Sequence, residues 1–388
     1  MKIALVCPYE MIGHAGGVAQ VVEHLQDGLI KKGHIVKIIT PRPSKYKGKA
    51  PEGYILLGNS ANTKLSPGLG TAGTWTFDID NEEVQKVLKK EKFDVINFHE
   101  PWAPILARQI LIYSSTAHVG TLHANLSDSV AGKSIFSVFT AYGRAITEKM
   151  DLLTAPSSAS VELITSKAPD EKLVKNIRYI PNGIDLKRYQ TRPSSAIHHP
   201  DIKTILFVGR LEGRKGVKYL LKAYHELTMK RSDVQLFIAG QGPDEQKLRE
   251  YVKEMEIPRV TFLGFISDED KIYHMHRADL FCAPAHRGEA FGIVLLEAMA
   301  ALCPTVAGDN SGYESVMKGT GAISLVNPLD TIDFARRLEI LLYDEPLRKL
   351  WTSWAAKYVK NFDWAPIVDQ YEAAYKEAIK LHAAKPKA

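Results

Sequence analysis

The sequence predicts an α/β protein built from two doubly wound parallel sheets, and three observations lead there. The chain has 388 residues, more than one ordinary hydrophobic core takes up, so two domains are expected. Short β-branched runs alternate with helical patterns from end to end, which implies strands joined by right-handed helical crossovers. The strand runs are continuously apolar rather than alternating. Both faces of each sheet should therefore be covered, and the strands should run parallel.

In the first half the strand patterns fall at residues 2–7, 34–40, 95–99, 118–123, 152–157 and 177–181. In the second half they fall at 204–209, 234–240, 260–265, 280–284 and 304–307. Between the halves, Ile180-Pro181-Asn182-Gly183-Ile184-Asp185 reads as a turn, and a polar, proline-bearing stretch at 190–201 precedes a fresh strand at Lys203. The expected division is thus an N-terminal domain at 1–192 and a C-terminal domain at 203–363, facing across a cleft with a hinge near 190–202. Residues 364–381 have helical periodicity, and the segment 364–388 is expected to pack back on the first domain. Residues 58–73, rich in Gly, Ser, Asn and Thr, read as a loop.

Composition narrows the class. With 45% hydrophobic and 24% charged residues, the chain is expected to be soluble and globular. No apolar run reaches the roughly 18 to 20 residues that span a bilayer, and the N-terminus reads as a first strand rather than a secretion signal. A cytoplasmic location follows as the expectation. Cys7, Cys282 and Cys303 lie far apart in apolar runs, which fits buried free thiols and no zinc site. The net charge of +6 does not by itself point to nucleic acid, and no nucleic-acid partner is expected. The excess is uneven: Lys31, Lys32, Lys37, Arg42, Lys45, Lys47 and Lys49 occur in a stretch free of Asp and Glu. Such a segment either stays solvated or touches anionic headgroups, each basic residue contributing about 1 kcal/mol near such a surface. The amphipathic stretch 134–149 adds a second candidate for peripheral membrane contact.

Ligands of doubly wound sheets bind outside the carboxyl ends of the strands, and the chemistry-bearing residues follow strands. Gly16-Gly17-Val18 sits between the first strand and a helix. Its glycines either make the turn or let the backbone and helix N-terminus approach a phosphate. Gly209-Arg210-Leu211-Glu212-Gly213-Arg214-Lys215-Gly216 follows the first strand of the second half. The planar donor fork of Arg210 and the compact charge of Lys215 suit a diphosphate. Arg287-Gly288-Glu289-Ala290-Phe291-Gly292-Ile293, continuing to Glu297, follows the strand at 280–284. Glu289 is expected at a helix start, which would put Glu297 two turns on along one helical face. Two such carboxylates can accept hydrogen bonds from sugar and ribose hydroxyls, and the N–H groups of Ala290, Phe291, Gly292 and Ile293 can meet a ligand.

Other residues have a bland reading beside the functional one. His123 ends a strand and is either a structural histidine or a partner of a sugar hydroxyl. Glu100, in His99-Glu100-Pro101, reads as a loop holder. Asp78-Ile79-Asp80 reads as a helix N-cap rather than a metal ligand, and no metal is expected. Asn125-Leu126-Ser127 fits a glycosylation pattern that has no bearing on a cytoplasmic chain.

Together, Gly16-Gly17-Val18, Pro181-Asn182-Gly183-Ile184-Asp185, Gly209-Arg210…Lys215-Gly216 and Glu289-Ala290-Phe291-Gly292…Glu297 resemble the family-4 glycosyltransferases of the GT-B fold. Cys7-Pro8-Tyr9, His99-Glu100-Pro101…Ala103-Pro104 and Cys282-Ala283-Pro284 bring the resemblance nearest to the bacterial phosphatidylinositol mannosyltransferases, which glycosylate a lipid at the cytoplasmic membrane face. The resemblance implies a retaining, metal-independent hexosyltransferase using a nucleotide-diphosphate sugar, GDP-mannose or a UDP-hexose, and no other cofactor. It implies that Gly17 admits the donor diphosphate, Arg210 and Lys215 bind it, and Glu289 holds the transferred sugar beside the Phe291–Ile293 backbone. It further implies that Glu297 holds the ribose, His123 the sugar's primary hydroxyl and developing charge, and Tyr9 the acceptor headgroup. Retaining glycosidases use two carboxylates about 5 Å apart. No second carboxylate is identifiable beside Glu289, so the resemblance implies a front-face route assisted by the leaving phosphate.

Two features depart from the inositol-lipid enzymes. They place a lysine shortly after the histidine, whereas this chain reads His123-Ala124-Asn125-Leu126-Ser127-Asp128. Their basic membrane-facing helix is echoed only partly in Lys86, Lys89, Lys90 and Lys92, which are interspersed with Glu82, Glu83 and Glu91. An acid at 128 disfavours an anionic headgroup there, leaving another glycolipid, a polyprenyl-linked saccharide or a soluble sugar as acceptor. Two other classes fit a similar two-domain frame: a nucleotide-sugar 2-epimerase and a non-catalytic nucleotide-sugar binder.

Overall fold

A computed structural model describes residues 1–12, 16–61, 75–103, 105–123, 143, 145–162 and 176–386. Asp128, the tripeptide at 125–127, Pro104 and most of the stretches 58–73 and 134–149 lie outside the described residues. The chain forms two compact units, Met1–Gly183 with Trp364–Ala388, and Ile184–Asp363. The second unit therefore takes up the chain before the proline-bearing stretch at 190–201, which belongs to it.

The first unit holds an eight-stranded sheet in the order β4-β3-β2-β1-β5-β6-β7-β8. Its strands are β1 Lys2–Val6, β2 Ile35–Arg42, β3 Tyr54–Ala61, β4 Trp75–Asp78, β5 Val95–His99, β6 Ala117–Thr121, β7 Leu152–Ala155 and β8 Ile177–Tyr179. All neighbours are parallel except β3 and β4, whose antiparallel pairing sets Asn59 opposite Asp78. An antiparallel edge strand on a parallel sheet is a common ending. It adds an edge to the parallel sheet that the sequence predicts, and β3 corrects the reading of Gly58 onward as loop. Gly58, Asn59 and Ser60 are poor strand formers. They continue the strand because Leu56 and Leu57 are buried and the Ser60 hydroxyl bonds the buried Glu10 carboxylate.

Helix α1, Gly17–Lys31, buries Ala19, Val21, Val22, Leu25 and Leu29 along one stripe. Helix α2, Asn81–Glu91, is capped by Asp80, whose side chain accepts from the Glu82 N–H. Helix α3, Leu106–Tyr113, follows β5. The final helix of the chain, Trp364–Ala383, packs Ile367, Val368, Tyr371 and Tyr375 into the core formed by Ile3, Leu5, Val22 and Leu25. Lys32 is ion-paired to Asp369 and Glu372 of that helix, so one of the basic residues at 31–49 is engaged within the unit.

The second unit holds six parallel strands in the order β11-β10-β9-β12-β13-β14. They are β9 Lys203–Val208, β10 Val234–Ala239, β11 Val260–Gly264, β12 Leu280–Ala283, β13 Thr305–Gly308 and β14 Leu325–Val326. The unit opens with α4, Leu186–Gln190, and carries α5 Val217–Thr228, α6 Glu245–Glu254, α7 Asp268–Arg277, α8 Ile293–Ala300, α9 Ser311–Val316, α10 Thr331–Tyr343 and α11 Glu345–Tyr358. The Trp364–Ala383 helix is α12. Caps mark several starts: Ser267 accepts from Asp270 N–H, Asn310 from Tyr313 N–H and Asp344 from Leu347 N–H. Ile184 pairs with Asp363, so the chain enters and leaves this unit side by side.

In each sheet the connections reverse direction beside one central strand. β1 lies between β2 and β5, and β9 lies between β10 and β12. The carboxyl ends of these neighbours form the crevice in which such sheets bind ligands. All three cysteines are buried and unbonded. Burial pushes the Cys7 and Cys303 thiols up to about 12 and Cys282 well above its usual value, which makes them poor nucleophiles.

Candidate active site

In the second unit, the turns after β9 and β12, which pair at Leu206 and Phe281, bring one charged cluster together. A single 3-10 turn, Gly213–Lys215, ends in Gly216 with φ +74°. A Cβ at 216 would collide with the Pro284 carbonyl oxygen, so glycine is what lets the two turns meet. Arg214 Nη1 and Lys215 Nζ each lie 2.8 Å from Glu289 Oε1. Arg214 also donates to the Gly288 carbonyl at 3.1 Å and pairs its Nε with Glu212 at 2.7 Å. Arg210 is exposed and reaches Glu212 at 3.4 Å.

Glu289 is not at a helix start. Gly288 and Gly292 have φ of +72° and +105°, left-handed values that interrupt a right-handed helix, and α8 begins only at Ile293. The carboxylates of Glu289 and Glu297 therefore do not share a helical face. Glu289 stands in the loop beside Lys215, whereas Glu297 lies inside α8. Glu297 Oε1 accepts from the Tyr189 hydroxyl and from Lys271 Nζ, each at 2.7 Å. Both carboxylates are nearly buried, and a buried carboxylate is stable when paired in this way. Burial, then the Glu297 charge, raises the Tyr189 phenol far above its usual value, so it stays a donor. The Phe291 side chain is 3% exposed and packs on Phe362 in the core. Only its backbone faces the loop, and Ala290, Gly292 and Ile293 are half-buried beside it.

In the first unit, Gly16 caps α1 with φ −115°, and Gly17 opens that helix. A Cβ at either meets nothing within 4 Å among the described residues. Neither glycine is required by a left-handed backbone or a close neighbour. Tyr9, after β1, is half-buried, and its carbonyl accepts from the Thr40 hydroxyl. His123 lies just past β6, half-buried, with its N–H held at 2.8 Å by Glu100 Oε1. Glu100 has φ +52° and is 1% exposed, so it holds the His123 loop. His123 Nε2 lies 2.8 Å from Nδ1 of the fully buried His99. Burial lowers the His123 ring to about 4 and drops His99 well below its usual value.

Sequence reasoning missed four residues of these constellations. Arg214 lay in plain view between Gly213 and Lys215, and its spacing from a glycine was the available signal. His99 stands in the His99-Glu100-Pro101 motif with no local signal of its contact to His123. Tyr189 and Lys271 carry no local signal, since they reach Glu297 across 108 and 26 residues of chain.

Comparison with known proteins defines the class. Residues 15–188 match the family described as Glycosyltransferase Family 4, and residues 191–358 match Glycosyl transferases group 1. The phosphatidyl-myo-inositol mannosyltransferase of Mycolicibacterium smegmatis is 33% identical over 97% of this chain and 93% of its own length. Among solved structures, a sucrose-phosphate synthase from Thermosynechococcus elongatus superposes with a TM-score of 0.77 at 21% identity, covering 99% of this chain and 100% of the other. An Anabaena protein solved with UDP and glucose gives 0.73 at 19% identity, covering 96% and 98%. The protein is a glycosyltransferase with the GT-B fold. It belongs to glycosyltransferase family 4, whose members transfer hexoses with retention. The epimerase alternative is not favoured by any of these likenesses. Among the described residues no helix is long and apolar enough to cross a membrane.

Proposed function

We propose that this glycosyltransferase moves mannose from GDP-mannose to a lipid-borne or saccharide acceptor, working at the cytoplasmic face of a membrane. The observation that carries the donor half is the Arg214–Glu289–Lys215 cluster, set at the carboxyl ends of two adjacent strands at the switch point of the second sheet. Cations beside a nearly buried carboxylate suit a ligand that is anionic at one end and rich in hydroxyls at the other. A nucleotide sugar has that form.

In this reading the second unit binds the nucleotide sugar, the first unit serves the acceptor, and Gly16 and Gly17 of the first unit admit a diphosphate. Arg210 and Lys215 hold the diphosphate. Glu289 accepts hydrogen bonds from the sugar hydroxyls, with the Ala290–Ile293 backbone alongside. Glu297, oriented by Tyr189 and Lys271, receives the ribose. Among the described residues a Cβ at Gly16 or Gly17 meets nothing within 4 Å, which supports a close approach of phosphate to the start of α1. His123 bonds the primary hydroxyl of the sugar, and Tyr9 packs on the acceptor.

Transfer then follows from these placements. The bond between the anomeric carbon and the donor phosphate oxygen breaks, and the acceptor oxygen bonds that carbon on the same face. The acceptor proton passes to the departing phosphate oxygen. Charge growing on that oxygen would be met by Lys215 and Arg210, whose fixed charges stabilise it electrostatically. Mannose is favoured by the relative named above. The acceptor is written as lipid-borne or saccharide because no lysine closely follows His123 and an acid, Asp128, stands in that stretch. The basic residues Lys37, Arg42, Lys45, Lys47 and Lys49 suit contact with anionic headgroups.

A thermal-shift screen of GDP- and UDP-sugars tests the donor. A ligand at 100 times its Kd stabilises the folded state by about 2.7 kcal/mol. GDP-mannose should raise the melting temperature by several degrees more than the UDP-sugars. A larger rise with UDP-glucose than with GDP-mannose would overturn the choice of base and sugar.

A further inference from the structure

The donor-side chemistry leaves one buried constellation unexplained, on β5 and β6 of the first sheet. Asn97 and His99 lie two apart on β5 and point to one face, as alternate strand residues do. Asn97 Nδ2 donates to the Tyr375 hydroxyl oxygen at 2.7 Å and to His99 Nε2 at 3.2 Å, while its Oδ1 accepts from the Thr121 hydroxyl at 2.7 Å. Asn97 and Thr121 are 0% exposed, and Tyr375 arrives from α12. The carboxamide is thus oriented by partners on three elements.

That orientation has a consequence for the histidines. A ring nitrogen that accepts from Asn97 carries no proton, so a neutral His99 holds its proton on Nδ1. Nδ1 faces His123 Nε2 at 2.8 Å. The two ring planes are only 11° apart with centroids at 5.1 Å. At that separation the rings meet edge to edge rather than face to face, as an in-line N–H···N bond requires. His99 therefore donates, His123 Nε2 accepts, and a neutral His123 must carry its own proton on Nδ1. Among the described residues Nδ1 of His123 has no partner, so that N–H is available to a ligand.

We propose that His99 is a positioning residue which, oriented by Asn97 and Tyr375, fixes His123 in the tautomer that offers an N–H donor to the oxygen of a bound sugar. This deepens the role proposed for His123 and rests on it. Desolvation of both rings acts in the same direction, because two imidazoles this close and poorly solvated resist protonation. A donor N–H, rather than a bare nitrogen, suits the lone pairs of a sugar hydroxyl oxygen. The tautomer also bars His123 Nε2 from acting as the base toward an acceptor, since it already accepts from His99.

Long-range proton–nitrogen correlation spectra of protein labelled with 15N-histidine read the tautomer directly, with the His123 signal assigned by its absence in His123→Ala. The expected result is a neutral His123 protonated on Nδ1 at neutral pH. In His99→Leu that preference should be lost and kcat should fall by about 10- to 100-fold, the usual cost of removing a residue that orients a working group, with donor KM little changed. His99→Asn, whose amide N–H takes the place of Nδ1–H, should restore most of the tautomer preference and of kcat. A His123 protonated on Nε2 in the unaltered protein overturns the inference, whatever the folding of the variants. So does a His99→Leu protein with unaltered kcat. Unchanged turnover in His123→Ala would instead remove the catalytic reading of His123, while the tautomer spectrum of the unaltered protein would still decide the positioning claim.

Discussion

Replacing Lys215 by alanine is expected to lower turnover about 10²- to 10³-fold, the usual loss when one preorganised electrostatic group is removed from a reacting centre. Lys215 Nζ is 2.8 Å from Glu289 Oε1 and its side chain is 20% exposed, so its charge sits where solvent screens it incompletely. In the proposed reaction the diphosphate gains charge as the glycosidic bond breaks. The lysine therefore interacts more strongly with the transition state than with the bound donor, and kcat should fall more than KM rises. Folding should hardly notice. Arg214 still pairs with Glu289 at 2.8 Å, so the carboxylate is not left as an uncompensated buried charge, and the melting temperature should change little. Steady-state kinetics paired with a melting curve checks both halves. Unchanged kcat would remove Lys215 from the site. A collapsed melting temperature would assign it to structure.

A methyl group at residue 312 is expected to damage stability and donor binding together. Gly312 lies in α9, and a Cβ there would collide with the Glu289 carbonyl oxygen and crowd Ala290. The obstacle is backbone, so no side chain can swing aside, and overpacking of this kind costs about 1 to 3 kcal/mol. Relief comes only by pushing the 288–292 loop away from α9. That movement would carry the Glu289 carboxylate off Lys215 and Arg214. Gly312→Ala should thus melt lower and bind donor more weakly by titration calorimetry. Gly17→Ala is the contrast in stability alone: among the described residues its Cβ meets nothing within 4 Å and alanine favours a helix over glycine, so it should not melt lower, whereas its methyl would still crowd the proposed diphosphate. A Gly312→Ala protein with normal donor affinity would show that the loop does not depend on α9.

Much of this architecture was legible in the sequence because parallel strands leave a strong trace. Residues 2–7, 204–209 and 280–284 are mostly apolar without alternation, and the strands appear within a residue or two of those bounds. The edges were harder. β3 runs into Gly58-Asn59-Ser60, a tripeptide with the composition of a turn, and it stays extended through pairing with β2 and a buried Ser60–Glu10 contact. Such tertiary support overrides local preference.

The site divides in the same way. Arg210, Lys215 and Glu289 follow strands and are bracketed by glycines, so position and chemistry pointed to the same residues. The secondary structure around Glu289 was misread because only the backbone angles of Gly288 and Gly292 reveal that the helix starts late. Tyr189, Lys271 and the Tyr375–Asn97–His99 chain act through contacts between distant segments. No periodicity encodes them.

Retaining hexosyl transfer from a nucleotide sugar leaves a stereochemical signature in its product. Proton NMR of purified protein turning over GDP-mannose in excess methanol tests it most directly, because methanol stands in for the acceptor and a methyl mannoside does not interconvert between anomers. Front-face transfer from the α-linked donor predicts methyl α-mannoside, formed in the unaltered protein and about 10²-fold or more slower in Lys215→Ala. Methyl β-mannoside as the product would contradict the account. So would equal rates in the two proteins.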